Sequence, residues 1–96
     1  MFDGLYEVVC KDENKVTIKL SDKKHPVFKA HFPRFPVLPG FVHFEIVADV
    51  FDMEVQSIKK AKFVSLVKPK EILTYERNNN KFKVFSDTKE VASFTL

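Results

Sequence analysis

At 96 residues the chain holds one domain, and a domain of this size buries a smaller share of its surface than a larger one, a shortage that pairing of two copies would relieve. Hydrophobic residues make up 45% of it, eleven of them Phe, enough for a core with aromatic bulk to spare for lining a ligand tunnel. The net charge of +3 is mild and the lysines are scattered among acidic neighbours, which disfavours nucleic acid as a partner.

In chain order, residues 5–11 and 15–20 flank Asp12-Glu13-Asn14, and in the second run Val16, Ile18 and Leu20 alternate with Lys15, Thr17 and Lys19. The alternation predicts a hairpin with one wet face. Cys10, the single cysteine, lies in the first run, so no intramolecular disulfide can form and a reducing, cytoplasmic compartment is the simplest home. No basic segment followed by an apolar run opens the chain, so no signal peptide is expected.

Residues 21–39 hold four of the five prolines and little periodicity, the mark of irregular backbone fixed by restricted φ angles, where sites are often carried. His25 precedes Pro26 there and is expected at the surface. Pro39-Gly40 then leads into residues 41–53, which read as a helix apolar on nearly every side. The apolar stretch within it contains His43, Glu45 and Asp49 and is shorter than the ~20 residues that span a bilayer, so no membrane insertion is expected. Strand-like runs follow at 56–67, 71–77, 81–85 and 90–96, with Asn78-Asn79-Asn80 suited to a turn that tolerates positive φ. Two strands, one buried helix and several antiparallel strands imply an α+β fold in which a single curved sheet wraps one long central helix, a single domain over residues 1–96.

His31 falls in the proline-rich loop and Glu45 on the helix between Phe44 and Ile46. A carboxylate on a buried helix must find hydrogen bonds, raise its pKa or line a cavity, and a raised pKa is what a general acid at neutral pH needs. Histidine, with an ordinary pKa near 6.5, can accept a proton at pH 7. A base from a loop and an acid from a helix suit elimination of water next to a carbonyl, and the helix start at Gly40 offers N–H groups and a positive dipole end to the carbonyl oxygen. His43, two positions before Glu45, points elsewhere and reads as a packing or interface histidine. A zinc site built from His25, His31, His43 and Glu45 lacks familiar ligand spacing, so no metal is expected.

The segment His31-Phe32-Pro33-Arg34-Phe35-Pro36-Val37-Leu38-Pro39-Gly40, followed by Glu45, resembles the signature of the β-hydroxyacyl carrier-protein dehydratases of fatty acid synthesis. It most resembles the short thioester dehydrases associated with aryl polyene pathways. The resemblance is strong over residues 28–48 and weaker but collinear beyond. It implies the hotdog fold and a hydro-lyase that takes a β-hydroxyacyl thioester on acyl carrier protein to a trans-2-enoyl thioester. It also implies a homodimer in which His31 of one subunit meets Glu45 of the other.

On that resemblance His31 and Glu45 are catalytic, the Gly40 amide binds the thioester oxygen, and Val37 and Leu38 wall a tunnel. Phe32 and Arg34 complete the substrate-contacting set. The acyl group rides on phosphopantetheine, so no resident cofactor is expected. The lysines at 59, 60, 62, 68 and 70 are close in sequence; such a run is more often a solvated face, and the alternative is a basic face that docks an acidic carrier. Arg34 stands where the larger enzymes have Gly, Asp49 where they have Gln, and Lys70 where many have Gly. The competing readings are a hotdog acyl thioesterase and a non-catalytic acyl-binding or scaffold subunit.

Overall fold

The alternation in residues 15–20 is realised in full: Val16, Ile18 and Leu20 are buried while Lys15 and Lys19 face solvent. The structure, a computed structural model, describes residues 3–29 and 34–96. Its elements are β1 (Tyr6–Lys11), β2 (Lys15–Leu20), α1 (Pro26–Lys29), α2 (Val42–Val50), β3 (Lys60–Phe63), β4 (Ile72–Asn78), β5 (Lys81–Ser86) and β6 (Lys89–Thr95). All six strands form one sheet in the order β1-β2-β4-β5-β6-β3, every neighbour antiparallel. This is a hotdog-like arrangement, a sheet curled about α2.

One face of the sheet supplies the core. Leu73 and Tyr75 of β4, Phe82 and Val84 of β5, and Val91, Ala92 and Phe94 of β6 turn inward with Val16 and Ile18. Val91 and Ala92 are buried although adjacent, because the register jumps between Val84 and Phe85 and leaves Val91 as the extra residue of a bulge on β6. Against this face α2 lays Val42, Ile46, Val47 and Val50, the spacing of one helical stripe, each side chain contributing about 1.5–3 kcal/mol when fully buried. Phe44, Phe51, Phe82 and Phe94 join by edge and stacked ring contacts at 4.9–5.6 Å between centroids. Much of the aromatic bulk therefore fills the core.

Three expectations need correcting. The central helix is not long: α2 has nine residues against the thirteen positions of 41–53. At its start Val42, His43 and Phe44 donate to carbonyls only three residues back; at its end Asp52 adopts φ 51° and Met53 N–H closes onto Ala48 C=O. The run at 56–67 becomes a four-residue edge strand, since after Phe63 both Val64 and Ser65 N–H converge on Val91 C=O at the bulge and the ladder stops. His25 is buried rather than superficial: its Nδ1 accepts from Val27 N–H at 3.0 Å, so Nε2 carries the proton and donates to Asp3 C=O at 2.8 Å.

The turn before β4 explains the oddity at Lys70, whose φ is 68° while its N–H donates to Ser21 C=O at 2.9 Å. A left-handed backbone costs a side-chain-bearing residue roughly 1–2 kcal/mol, part of which glycine gives back as unfolded-chain entropy. Lys70→Gly is therefore expected to stabilise the fold by about 0.5–1 kcal/mol. A raised Tm with activity intact is the expected result; an unchanged or lowered Tm would mean that the lysine holds this turn by contacts that outweigh its strain.

Candidate active site

Glu45 sits near the middle of α2, but on the side away from the core, and its residue is exposed. The expectation of a carboxylate sealed inside a wrapped helix is corrected: four-residue spacing puts Phe41, Glu45 and Asp49 along one stripe, and all three are open to solvent in the single chain. Its opposite face carries the burial. That outward stripe is bordered by β1, whose Tyr6 hydroxyl donates to Asp49 Oδ2. Partial burial, reinforced by the Asp49 carboxylate, holds the Tyr6 phenol above its ordinary range, so it remains the donor. Asp49 thus tethers the edge strand to the helix one turn from Glu45.

Beneath α2, His43 Nδ1 lies 2.7 Å from the Tyr75 hydroxyl. Burial pushes the His43 imidazole down to about 4, and burial also pushes the Tyr75 phenol well up, with the Tyr6 phenol adding to it. Both stay neutral across ordinary pH, which makes the pair a satisfied polar contact inside the core and supports the packing reading of His43. Neither Tyr75 nor Tyr6 was singled out from sequence. The signal for Tyr75 was available: it occupies the inward phase of β4 beside Leu73, and a buried phenol calls for a partner.

His43 stacks on Phe63 of β3, centroids 6.1 Å apart and planes 18° from parallel. The Phe63 ring also covers Gly40, where an added Cβ would meet ring atoms at 3.0–3.1 Å. Close approach of this ring is thus a reason of its own for glycine at the helix entrance. Phe63 is half exposed, and Phe41, Ile58, Val64 and Leu66 add further exposed apolar side chains on β3, its flanks and the helix entrance.

Among the other candidate residues, Arg34 is exposed, while Val37 and Leu38 are buried, Leu38 in the main core with its N–H on Val67 C=O at 2.7 Å. His31 and Phe32 lie outside the described residues. Among the described residues no group of three or more His, Cys, Asp or Glu side chains is placed to hold a metal, and no helix is long and apolar enough to cross a membrane.

The family model of the ApeI-like proteins, described as ApeI dehydratase, matches residues 8–95. The chain belongs to the ApeI-like dehydratase family. It is a dehydratase, a hydro-lyase of that kind. Among solved structures it is similar to a chain of the dehydratase heterocomplex ApeI:P from Xenorhabdus doucetiae, at 19% identity and TM-score 0.69 over 93% of each chain. An uncharacterized protein from Erwinia carotovora subsp. atroseptica matches at 21% identity and TM-score 0.52, over 92% of this chain and 86% of that one. At these identities the structural likeness speaks for the fold. No curated protein matches the chain.

Proposed function

We propose that this ApeI-like dehydratase removes water from a β-hydroxyacyl thioester carried on the phosphopantetheine of an acyl carrier protein, giving the trans-2-enoyl thioester. His31 takes the α-proton, Glu45 gives a proton to the departing β-hydroxyl, and the Gly40 amide holds the thioester oxygen as negative charge develops on it. The reaction needs neither a metal nor a resident cofactor. The observation that carries this reading is the position of Glu45: a carboxylate on the outward stripe of α2, entered through the His31-to-Gly40 segment, in a chain of a dehydratase family. Val37, Leu38, Phe32 and Arg34 would contact the acyl group or its arm.

A solvent-facing Glu45 also supports a shared site. β3 is an edge strand of the sheet, and the exposed apolar groups Ile58, Phe63, Val64, Leu66 and Phe41 lie on it or beside it, more than a small soluble chain usually leaves uncovered. Antiparallel pairing of two β3 edges would make a homodimer and cover those groups, and the resemblance to carrier-protein dehydratases implies a dimer of this kind in which His31 of one subunit pairs with Glu45 of the other. The related ApeI:P structure is a dehydratase heterocomplex, which supports complex formation in general; the homodimer is our proposal. The exposed, free Cys10 suits the reducing cytoplasm.

The deciding experiment incubates the protein with β-hydroxyacyl carrier-protein thioesters of several chain types and reads the products by mass spectrometry. Loss of one water with the thioester intact is expected. Release of free acid would point to a thioesterase, and binding without turnover to a scaffold; either overturns the proposal.

A further inference from the structure

Ahead of the His31 loop the structure holds a second feature that the catalytic reading does not use: an open cleft of about 390 Å³ lined by Lys23, Lys24, Lys29, Phe28 and Pro36. Pro36 and the fully buried Phe28 supply its apolar lining, and three lysines supply the rest. All three lysines are exposed. None is in an ion pair among the described residues, where Lys83–Glu90 is the pair formed. The acidic neighbour Asp22 is turned to the backbone, its Oδ1 accepting from Lys24 N–H at 2.8 Å. Lys29 stands two positions before His31 in the chain and Pro36 five after, so the cleft is built by residues on both sides of the proposed base in sequence.

Resting on the reading of a carrier-borne thioester, we propose that this cleft binds the phosphodiester through which pantetheine is attached to its carrier protein. Three lysines without an ion pair among the described residues, together with apolar lining, match one anionic group on a slender arm of amides and methylenes, and Lys–phosphate contacts are charge-assisted. The cleft is open, and Phe28 offers no exposed ring on which an adenine could stack, which favours the carrier-borne arm over coenzyme A. This places anion recognition on lysines other than Lys59, Lys60 and Lys62 of β3 and its flank.

The test is a titration of the intact protein with 4′-phosphopantetheine and, separately, with pantetheine, which lacks the phosphate, at low and high salt. Wild type is expected to bind the phosphorylated arm roughly tenfold more tightly, with the preference shrinking as salt screens it. The triple variant Lys23→Gln, Lys24→Gln, Lys29→Gln should lose that preference while binding pantetheine unchanged, and Lys59→Gln, Lys60→Gln, Lys62→Gln should keep it. Equal binding of both arms by wild type, an undiminished preference in the first variant, or tighter binding of coenzyme A than of 4′-phosphopantetheine would each overturn the proposal. Because the readout is binding, it stands or falls apart from the dehydration assay: phosphate preference without turnover would leave the cleft assigned and sink the dehydratase chemistry.

Discussion

Glu45→Gln is expected to slow water elimination by roughly 10²–10⁴-fold, the range removed when a positioned proton donor is lost. The same loss is expected for His31→Ala. Glu45 suits this experiment because its side chain contributes little to the fold: it is exposed and makes no hydrogen bond or ion pair with another described side chain. Substitution there should shift stability by no more than about 0.5 kcal/mol, the usual scale for a surface change. Gln also keeps shape and polarity while giving up the transferable proton. Single-turnover rates, with thermal melts alongside, separate chemistry from folding. A rate within about threefold of wild type at unchanged Tm would remove Glu45 from the mechanism, since such a change is under 1 kcal/mol in the barrier.

The second large effect is on stability against pH. His43 is buried against Tyr75 and pushed down to about 4 by that burial, whereas an unfolded chain binds the proton near the ordinary value of about 6.5. Between those values the unfolded state holds more protons than the folded one, so stability rises with pH; equivalently, it is intact above pH ~6.5 and lost as pH falls toward ~4. The interval corresponds to about 3 kcal/mol, a sizeable part of what a domain of this size has to spare. Urea unfolding of wild type and His43→Asn at a series of pH values measures it. The asparagine keeps a polar atom near Nδ1 for the Tyr75 hydroxyl but does not titrate, so the difference between the two proteins should grow above pH ~4 and level off above ~6.5. Parallel curves would mean that His43 accepts its proton without cost and that its burial is relieved on protonation.

The strands were legible because period-two alternation is a local property. In β2 it specified both limits, and it placed strand-like runs at 71–77 and 81–85, where β4 and β5 form. The errors came where non-local pairing decides. Residues 56–67 carry strand character throughout, yet the ladder lasts only while β6 supplies regular partners, and the bulge at Val91 ends it at Phe63. The helix was overread at its C-terminal end because apolar pattern does not disclose that Asp52 turns left-handed. Glu45 was read onto the helix, where α2 does carry it, but on the premise of burial, whereas it lies on the exposed stripe. Sequence showed which residues share a helix; which of its faces the sheet covers depends on the sheet's curl. The His43–Tyr75 and Tyr6–Asp49 contacts join residues far apart in the chain and left no local trace as pairs.

The two edges of the sheet are unequal. β1 carries a bulge at Val9, charges at Glu7 and Lys11, and a tether from Tyr6 to the helix, all of which oppose the approach of another strand. β3 is short and carries Lys60 and Lys62, but it lacks a bulge, and exposed apolar side chains lie on it and flank it. A sheet that can grow from both sides polymerises, and fibres are its natural end. A sheet that can grow from one side has a single product available when it meets its own kind, because joining consumes the only permissive border on each. In the proposed dimer the two β3 edges would be used up by one joining, and the same asymmetry would set the stopping point of assembly at two.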